Sequence, residues 1–232
     1  MQFTHWSEGL AGTGLVFGNK LESQRAGNHT ALYFSVRRGS KPIRVYTPLM
    51  KCKFVPSDEY NSVDVSLYAP GSGNQEQVDD FVARIKENEE AVIQWAITNA
   101  DTVFDDFDPV PDEAAIRARF RSCIVDRIES IKFRLVPEHG CAYFDKNGSS
   151  MTKEEAREQF ASPNLPNLRI GGEIKSVGVY NPSKRKGAKV AFDGKIEMRL
   201  FALQVRLMPA DASDGTIIDN DICMMPSEEE MA

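Results

Sequence analysis

Ala31-Leu32-Tyr33-Phe34-Ser35-Val36-Arg37-Arg38-Gly39-Ser40-Lys41-Pro42-Ile43-Arg44-Val45-Tyr46-Thr47 is the stretch on which the fold turns. Its first six residues are rich in aromatic and β-branched side chains, the composition of a strand. Arg38-Gly39-Ser40-Lys41-Pro42 has turn chemistry, and Ile43 to Thr47 alternates apolar with polar or amphipathic residues. The stretch predicts a β-hairpin with bases on its turn and along one face. Extended to Phe54, residues 31–54 carry six bases (Arg37, Arg38, Lys41, Arg44, Lys51, Lys53) and no acid, interleaved with the rings of Tyr33, Phe34, Tyr46 and Phe54.

On the C-terminal side, Ser62-Val63-Asp64-Val65-Ser66-Leu67-Tyr68 alternates again and predicts a third strand, ended by Gly71-Ser72-Gly73-Asn74. From Gln77 to Asn99 the period changes, with Phe81, Ile85, Val92, Trp95 and Ala96 on one helical stripe. A second helix is predicted from Asp112 to Ile128, behind Pro109-Val110-Pro111. Residues 75–130 hold 14 acids against 6 bases, so this helical insert is acidic. Strand signals resume at Ser130–Val136. A turn is expected at Lys146-Asn147-Gly148, and Thr152-Lys153-Glu154-Glu155 has the capping-box pattern that opens a short helix to Phe160. Ile170–Val179 and Lys195–Leu207 read as long strands separated by a basic loop, Tyr180 to Lys189. Glu8-Gly9-Leu10-Ala11-Gly12-Thr13-Gly14 reads as a flexible lead-in. The expected class is mainly β with a helical insert (α+β): one elaborated domain of five or six strands over residues 1–209, the insert at about 75–130, and an acidic, disordered tail over 210–232.

The net charge of -6 conceals an uneven distribution. From Asp211 onward there are seven acids and no base; without them, 27 acids face 28 bases. The body is therefore close to neutral, and the tail sets the sign.

Several function classes lack support. Neither phosphate-cradling glycine motif is present, and no Ser sits in a nucleophile elbow. The chain is expected not to be an enzyme and to need no cofactor. Cys52, Cys123, Cys141 and Cys223 form no C-x-x-C pair, and His5, His29 and His139 lie outside metal-ligand spacing of them. Asp105-Asp106-x-Asp108 has the hard oxygen ligands that Mg²⁺ takes, although such a cluster also serves as a solvated surface. There is no apolar run of bilayer length and no signal-peptide layout at Met1, so no membrane partner and an intracellular setting are expected.

The basic, ring-laced hairpin is the informative signal. A single strand of nucleic acid offers phosphates and unstacked base faces, and binding it without reading sequence needs cations along a groove and rings to stack on. Tyr33, Arg37, Arg38, Lys41, Arg44, Tyr46, Lys51 and Lys53 are the candidates. Tyr180 with Lys184, Arg185, Lys186 and Lys189 forms a second basic element placed to close over the same face. The tail acids Asp219, Asp221, Glu228, Glu229 and Glu230 can occupy a cationic groove at high effective concentration and give way to DNA.

The run from Lys41 to Phe54, the Val63–Leu67 strand, the helix after it, the strand-rich second half and the acidic tail together resemble the replication single-stranded DNA-binding proteins of short-tailed phages and their relatives in nucleocytoplasmic large DNA viruses. The resemblance covers most of the chain from about residue 30, by layout more than by motif. It implies an OB-fold-like five- or six-stranded barrel, cooperative protection of single strands in viral DNA replication or recombination, no cofactor, and tail contacts with replication proteins. If viral, the chain would work in the host cytoplasm or nucleus at replication sites. The family's groove carries over onto Arg37, Arg38, Lys41, Arg44, Tyr46, Lys51, Lys53 and the Lys184–Lys189 loop. Two features depart from the family: the insert has a second helix, and the tail ends in Met231-Ala232 rather than an aromatic residue. The alternative is a virion-associated structural or interaction protein that binds no nucleic acid. A two-fold homodimer is one assembly the sequence allows.

Overall fold

The computed structural model describes residues 3–10, 14–24, 29–54, 62–67, 75–135, 141–160, 166–185 and 189–209. The expected class holds at the level of a mainly β chain with helices. In chain order the strands are β1 (Thr4–His5), β2 (Leu15–Gln24), β3 (His29–Arg38), β4 (Lys41–Tyr46), β5 (Met50–Phe54), β6 (Ser62–Ser66), β7 (Phe120–Arg121), β8 (Ile124–Val125), β9 (Ser130–Leu135), β10 (Ala142–Phe144), β11 (Ser150–Met151), β12 (Asn167–Arg185) and β13 (Lys195–Met208). The helices are α1 (Trp6–Gly9), α2 (Gln75–Thr98), α3 (Ala100–Val103), α4 (Glu113–Arg119) and α5 (Lys153–Phe160).

β12 and β13 are the spine, antiparallel from Asn167 opposite Met208 to Tyr180 opposite Lys195, with bulges at Gly171/Gly172 and Ile174/Ser176. Three segments share the other edge of β12 end to end, all antiparallel to it. β5 takes the start (Leu168 opposite Met50), β4 the middle (Gly171 opposite Tyr46 to Ile174 opposite Ile43), and β3 the stretch from Ser176 opposite Ser35 to Tyr180 opposite Ala31. The predicted hairpin is therefore a hairpin only at its tip, where Arg37 faces Pro42 and Arg38 faces Lys41. An isolated two-stranded hairpin is marginal in water, and the long edge of β12 gives both arms a better partner. Gly39, at φ 57°, makes the turn at the tip.

The pairings also close a cycle: β12 to β5, β5 to β6, β6 to β9, β9 to β13, and β13 back to β12. Val63, Val65, Ile131, Phe133, Leu168 and Ile170 are buried on these strands. β2 and β1 extend the sheet beyond β3 and β4, and β10 and β11 extend it beyond β13. Helix α2 lies on the inner face of β2 and β3. Its Trp95 ring stacks on Phe17 at 4.2 Å and meets Phe34 edge-on at 5.0 Å, while its Phe81 meets Trp6 at 6.0 Å. The predicted stripe of Phe81, Ile85, Val92 and Ala96 is fully buried. The capping box of α5 forms as expected: the Thr152 amide donates to Glu155 Oε2 (2.8 Å), and the Glu155 amide donates to Thr152 Oγ1 (3.2 Å).

Four expectations are corrected. The second helix stops at Arg119 instead of reaching Ile128. Buried Glu89 of α2 takes the Cys123 amide and the Ser122 hydroxyl, both at 2.7 Å, and Ile124 then pairs with Ile131. Tertiary partners thus outcompete the helical pattern. The start of the lead-in is anchored, since Leu10 is buried in the core beside Trp6, while residues 11–13 lie outside the described residues. The basic loop after Tyr180 is strand as far as Arg185, which pairs with His29. Finally, the described residues form thirteen strands where five or six were expected. β2 in particular escapes a period-two reading because Gly18 and Asn19 interrupt its alternation, and a bulge between Phe17 and Lys20 absorbs them.

Candidate functional site

Alternation along β3, β12 and β13 separates two faces. Leu32, Phe34 and Val36 point to α2 and the core, so Tyr33, Ser35 and Arg37 point away from it. The register carries that outer face across the sheet in rows: Ser35–Ser176–Arg199, Tyr33–Gly178–Glu197, and Tyr180–Lys195. Cross-strand neighbours on one face lie about 5 Å apart, so these side chains meet.

At the centre of this face the Arg199 guanidinium sits over two rings, 4.7 Å from the centroid of Tyr33 and 4.9 Å from that of Phe201. Lys175, at the β12 bulge, places its ammonium 5.7 Å from the same Phe201 ring. Such contacts occur about once per 70–80 residues, and three here share one patch. Phe201 is only 5% exposed, yet it lies outside the main hydrophobic cluster: cations cover it rather than other apolar side chains. Gly178 makes room for this arrangement, because a Cβ there would come within 3.2 Å of Arg199 Cδ and 3.4 Å of Tyr33 Cε1. Arg37 flanks the patch on the β3 side. On the β9 side, Arg134 and Lys195 both donate to Glu197 (2.6 and 2.8 Å).

The predicted residues are brought to β12 but do not form one uniform groove. Lys41 and Arg37 are exposed at the hairpin tip. Arg38 is turned inward and donates to the Gly9 carbonyl, and burial lowers its pKa. Arg44 is committed to Glu173, Nε to Oε2 at 2.7 Å, across the β4–β12 ladder. Tyr46 is half-buried and packs against Phe3 at 4.7 Å, above Gly171. Lys51 is exposed but opposite Asn167, eleven positions along β12 from Gly178 and so about 30 Å from Tyr33. Lys53, Lys184 and Arg185 lie on the ends of β5 and β12, and their side chains are outside the described residues. Lys186 and the tail residues Asp219, Asp221, Glu228, Glu229 and Glu230 lie wholly outside them. Lys189 is exposed. Its neighbour Val190 bridges to Phe107 and accepts from the Asp108 amide at 3.1 Å, which ties this part of the second basic element to the acidic insert.

Arg44 therefore contributes to the fold. Arg44→Ala leaves the nearly buried Glu173 carboxylate without its partner and is expected to cost about 1–3 kcal/mol of stability, read from denaturant unfolding.

Sequence reading missed Lys175, Arg199, Phe201, Arg134 and Lys195. The available signal was the charged i, i+2 series Lys195, Glu197, Arg199 in a strand otherwise read as apolar and central. The acidic cluster has a structural partner: Lys20 of β2 donates to Asp105 (2.6 Å) and Asp106 (3.0 Å). Burial pulls the Lys20 pKa down, and those two hydrogen bonds more than offset it, leaving it raised. Among the described residues, no group of three or more His, Cys, Asp or Glu is placed to hold a metal ion, and no helix is long and apolar enough to cross a membrane.

No protein-family model matches the chain, and a search of curated proteins finds no significant match.

Proposed function

We propose that the chain binds single-stranded nucleic acid, DNA in the first instance, without reading its sequence, along the outer face of β3, β12 and β13. The observation that carries this reading is the array of Arg199 and Lys175 over Tyr33 and Phe201. A strand needs a cation for each phosphate and a ring for each base, and this patch supplies both across adjacent cross-strand rows. When a strand arrives, the Arg199 and Lys175 side chains swing from ring to phosphate, and the rings they uncover become stacking platforms. Each cation exchanges a cation–π contact for a charge-assisted one. Arg37 continues the path toward the hairpin tip and Lys51 toward the other end of β12. The five-strand cycle supports an OB-like reading of the core. We assign replication or recombination of a viral genome as the setting on the resemblance described above.

The acidic segment 211–232 belongs to the same proposal. Seven acids tethered to the domain compete with phosphate for this face. Titration of fluorescent oligothymidylate at several salt concentrations tests both parts. With about four phosphates neutralised, log Kobs against log salt falls with a slope of about −3. The full-length chain with Asp219→Asn, Asp221→Asn, Glu228→Gln, Glu229→Gln and Glu230→Gln is expected to bind more tightly than wild type at low salt. Absence of binding by either folded protein at low salt rejects the reading and favours a protein-interaction role for the same sheet.

A further inference from the structure

A second feature adjoins this face. Where β7 and β9 meet β13, a cleft of about 340 Å³ opens beside Glu197, within the size range of small-ligand sites. Four cations line it among the described residues: Arg121 from β7, Lys132 and Arg134 from β9, and Lys195 from β13. The carboxylate in the lining is Glu197, already shared between Arg134 and Lys195. Asp64 of β6 stands opposite Lys132 and offsets one more charge. Glu89 of α2 stands behind the lining and accepts from Ser122 and Cys123, so four cations face three carboxylates and the cleft keeps about one uncompensated positive charge. A phosphate monoester presents three strong acceptor oxygens, which Arg and Lys donors gathered around one cleft can share, whereas an internal phosphodiester presents fewer.

We infer that this cleft is a subsite for a phosphate monoester, taking the phosphorylated end of the strand bound across Tyr33, Arg199 and Phe201. The inference rests on the nucleic-acid reading above and deepens it. The track on β13 runs from Arg199 past Glu197 to Lys195 along alternate residues of one strand, so a chain lying over Arg199 has its terminus within reach of the cleft. Arg134 and Lys195 are held in place by Glu197, while Lys132 and Arg121 project from exposed positions and can close on the ligand. Among the described residues, Arg121 makes long contacts of 3.4 Å to the Ala118 and Phe120 carbonyls, which it can give up at little cost.

The test compares short oligothymidylates carrying a 5′-phosphate, a 3′-phosphate or neither, together with thymidine 5′-monophosphate. Each is titrated against the full chain and against its Arg121→Ala/Lys132→Ala variant. Both substituted side chains are exposed, and a thermal melt verifies that the variant is folded. One terminal phosphate is expected to raise affinity for the wild type about fivefold. The variant should lose that increment while binding the unphosphorylated oligonucleotide about as well as wild type does. Equal affinity of wild type for all three oligonucleotides overturns the terminal subsite and leaves the strand-binding face standing. Binding of the mononucleotide, lost in the variant, without binding of any oligonucleotide upholds the cleft and rejects the strand reading. Failure to bind any of the four probes overturns both.

Discussion

A chain carrying Lys175→Glu and Arg199→Glu is expected to bind oligothymidylate about a hundredfold more weakly than wild type. In the proposed binding mode each wild-type cation exchanges a ring for a phosphate, and a hydrogen bond to a charged group is worth about 1.5–3 kcal/mol. Two such losses amount to at least about a hundredfold, at roughly tenfold per 1.4 kcal/mol, before any repulsion from the new carboxylates. Both side chains lie on the outer face but cover Phe201, so some loss of melting temperature is expected and a thermal melt verifies that each variant is folded. Arg199→Gln with Lys175→Gln should fall between wild type and the reversal, and both variants should show a shallower salt slope. A folded double reversal with unchanged affinity would remove this face as the interface. Phe201→Leu offers an independent reading, because it keeps the charge and removes the ring. It should weaken binding by the roughly 1–3 kcal/mol that base stacking supplies while leaving the salt slope intact.

The largest stability effect is expected at Phe133. Its ring is fully buried on β9 and lies against Gly172 of β12, where a Cβ would stand 3.1 Å from Phe133 Cε1. The contact joins β9 to β12 across the cycle of β12, β5, β6, β9 and β13, two strands that are not neighbours in it. Phe133→Ala should cost about 3–5 kcal/mol, from lost transfer energy plus the cavity left behind. That is a large share of the 5–15 kcal/mol typical of a domain, and chemical denaturation will register it as a lower midpoint. Gly172→Ala alone should destabilise by crowding the ring. In the Phe133→Ala background the same methyl enters vacated space, so the second substitution should cost less than the first-background value. A strictly additive pair would mean that the two residues do not share the packing described here.

Legibility from sequence followed the range of the interactions. The stripe of α2, the capping box of α5, the turn at Gly148 and the strands around Val65 and Phe133 depend on neighbours a few residues apart, and each is found where its pattern places it. The hairpin was half legible. Its turn is local and forms at Gly39, but its arms pair with β12, more than a hundred residues away. The second predicted helix failed for the same reason, because Glu89 and β9 claim Cys123 and Ile124. At the candidate site, composition pointed to a cationic, aromatic surface on β3 and β4. It could not show that Arg38 and Arg44 are drawn into hydrogen bonds with Gly9 and Glu173, or that Arg199 and Phe201 complete the surface from β13.

The residues by themselves determined a mainly β chain with an acidic helical insert, a charge-segregated C-terminal segment, and a strand region rich in bases and rings. Those properties follow from composition and short-range periodicity, which act before any fold exists. Only the tertiary structure decided which cations face outward, which rings they cover, and that Arg121, Lys132, Arg134 and Lys195 converge on one cleft. A side chain's charge is written in the sequence. Its partner is set by strand register, and register is fixed by hydrogen bonds and packing between segments far apart in the chain.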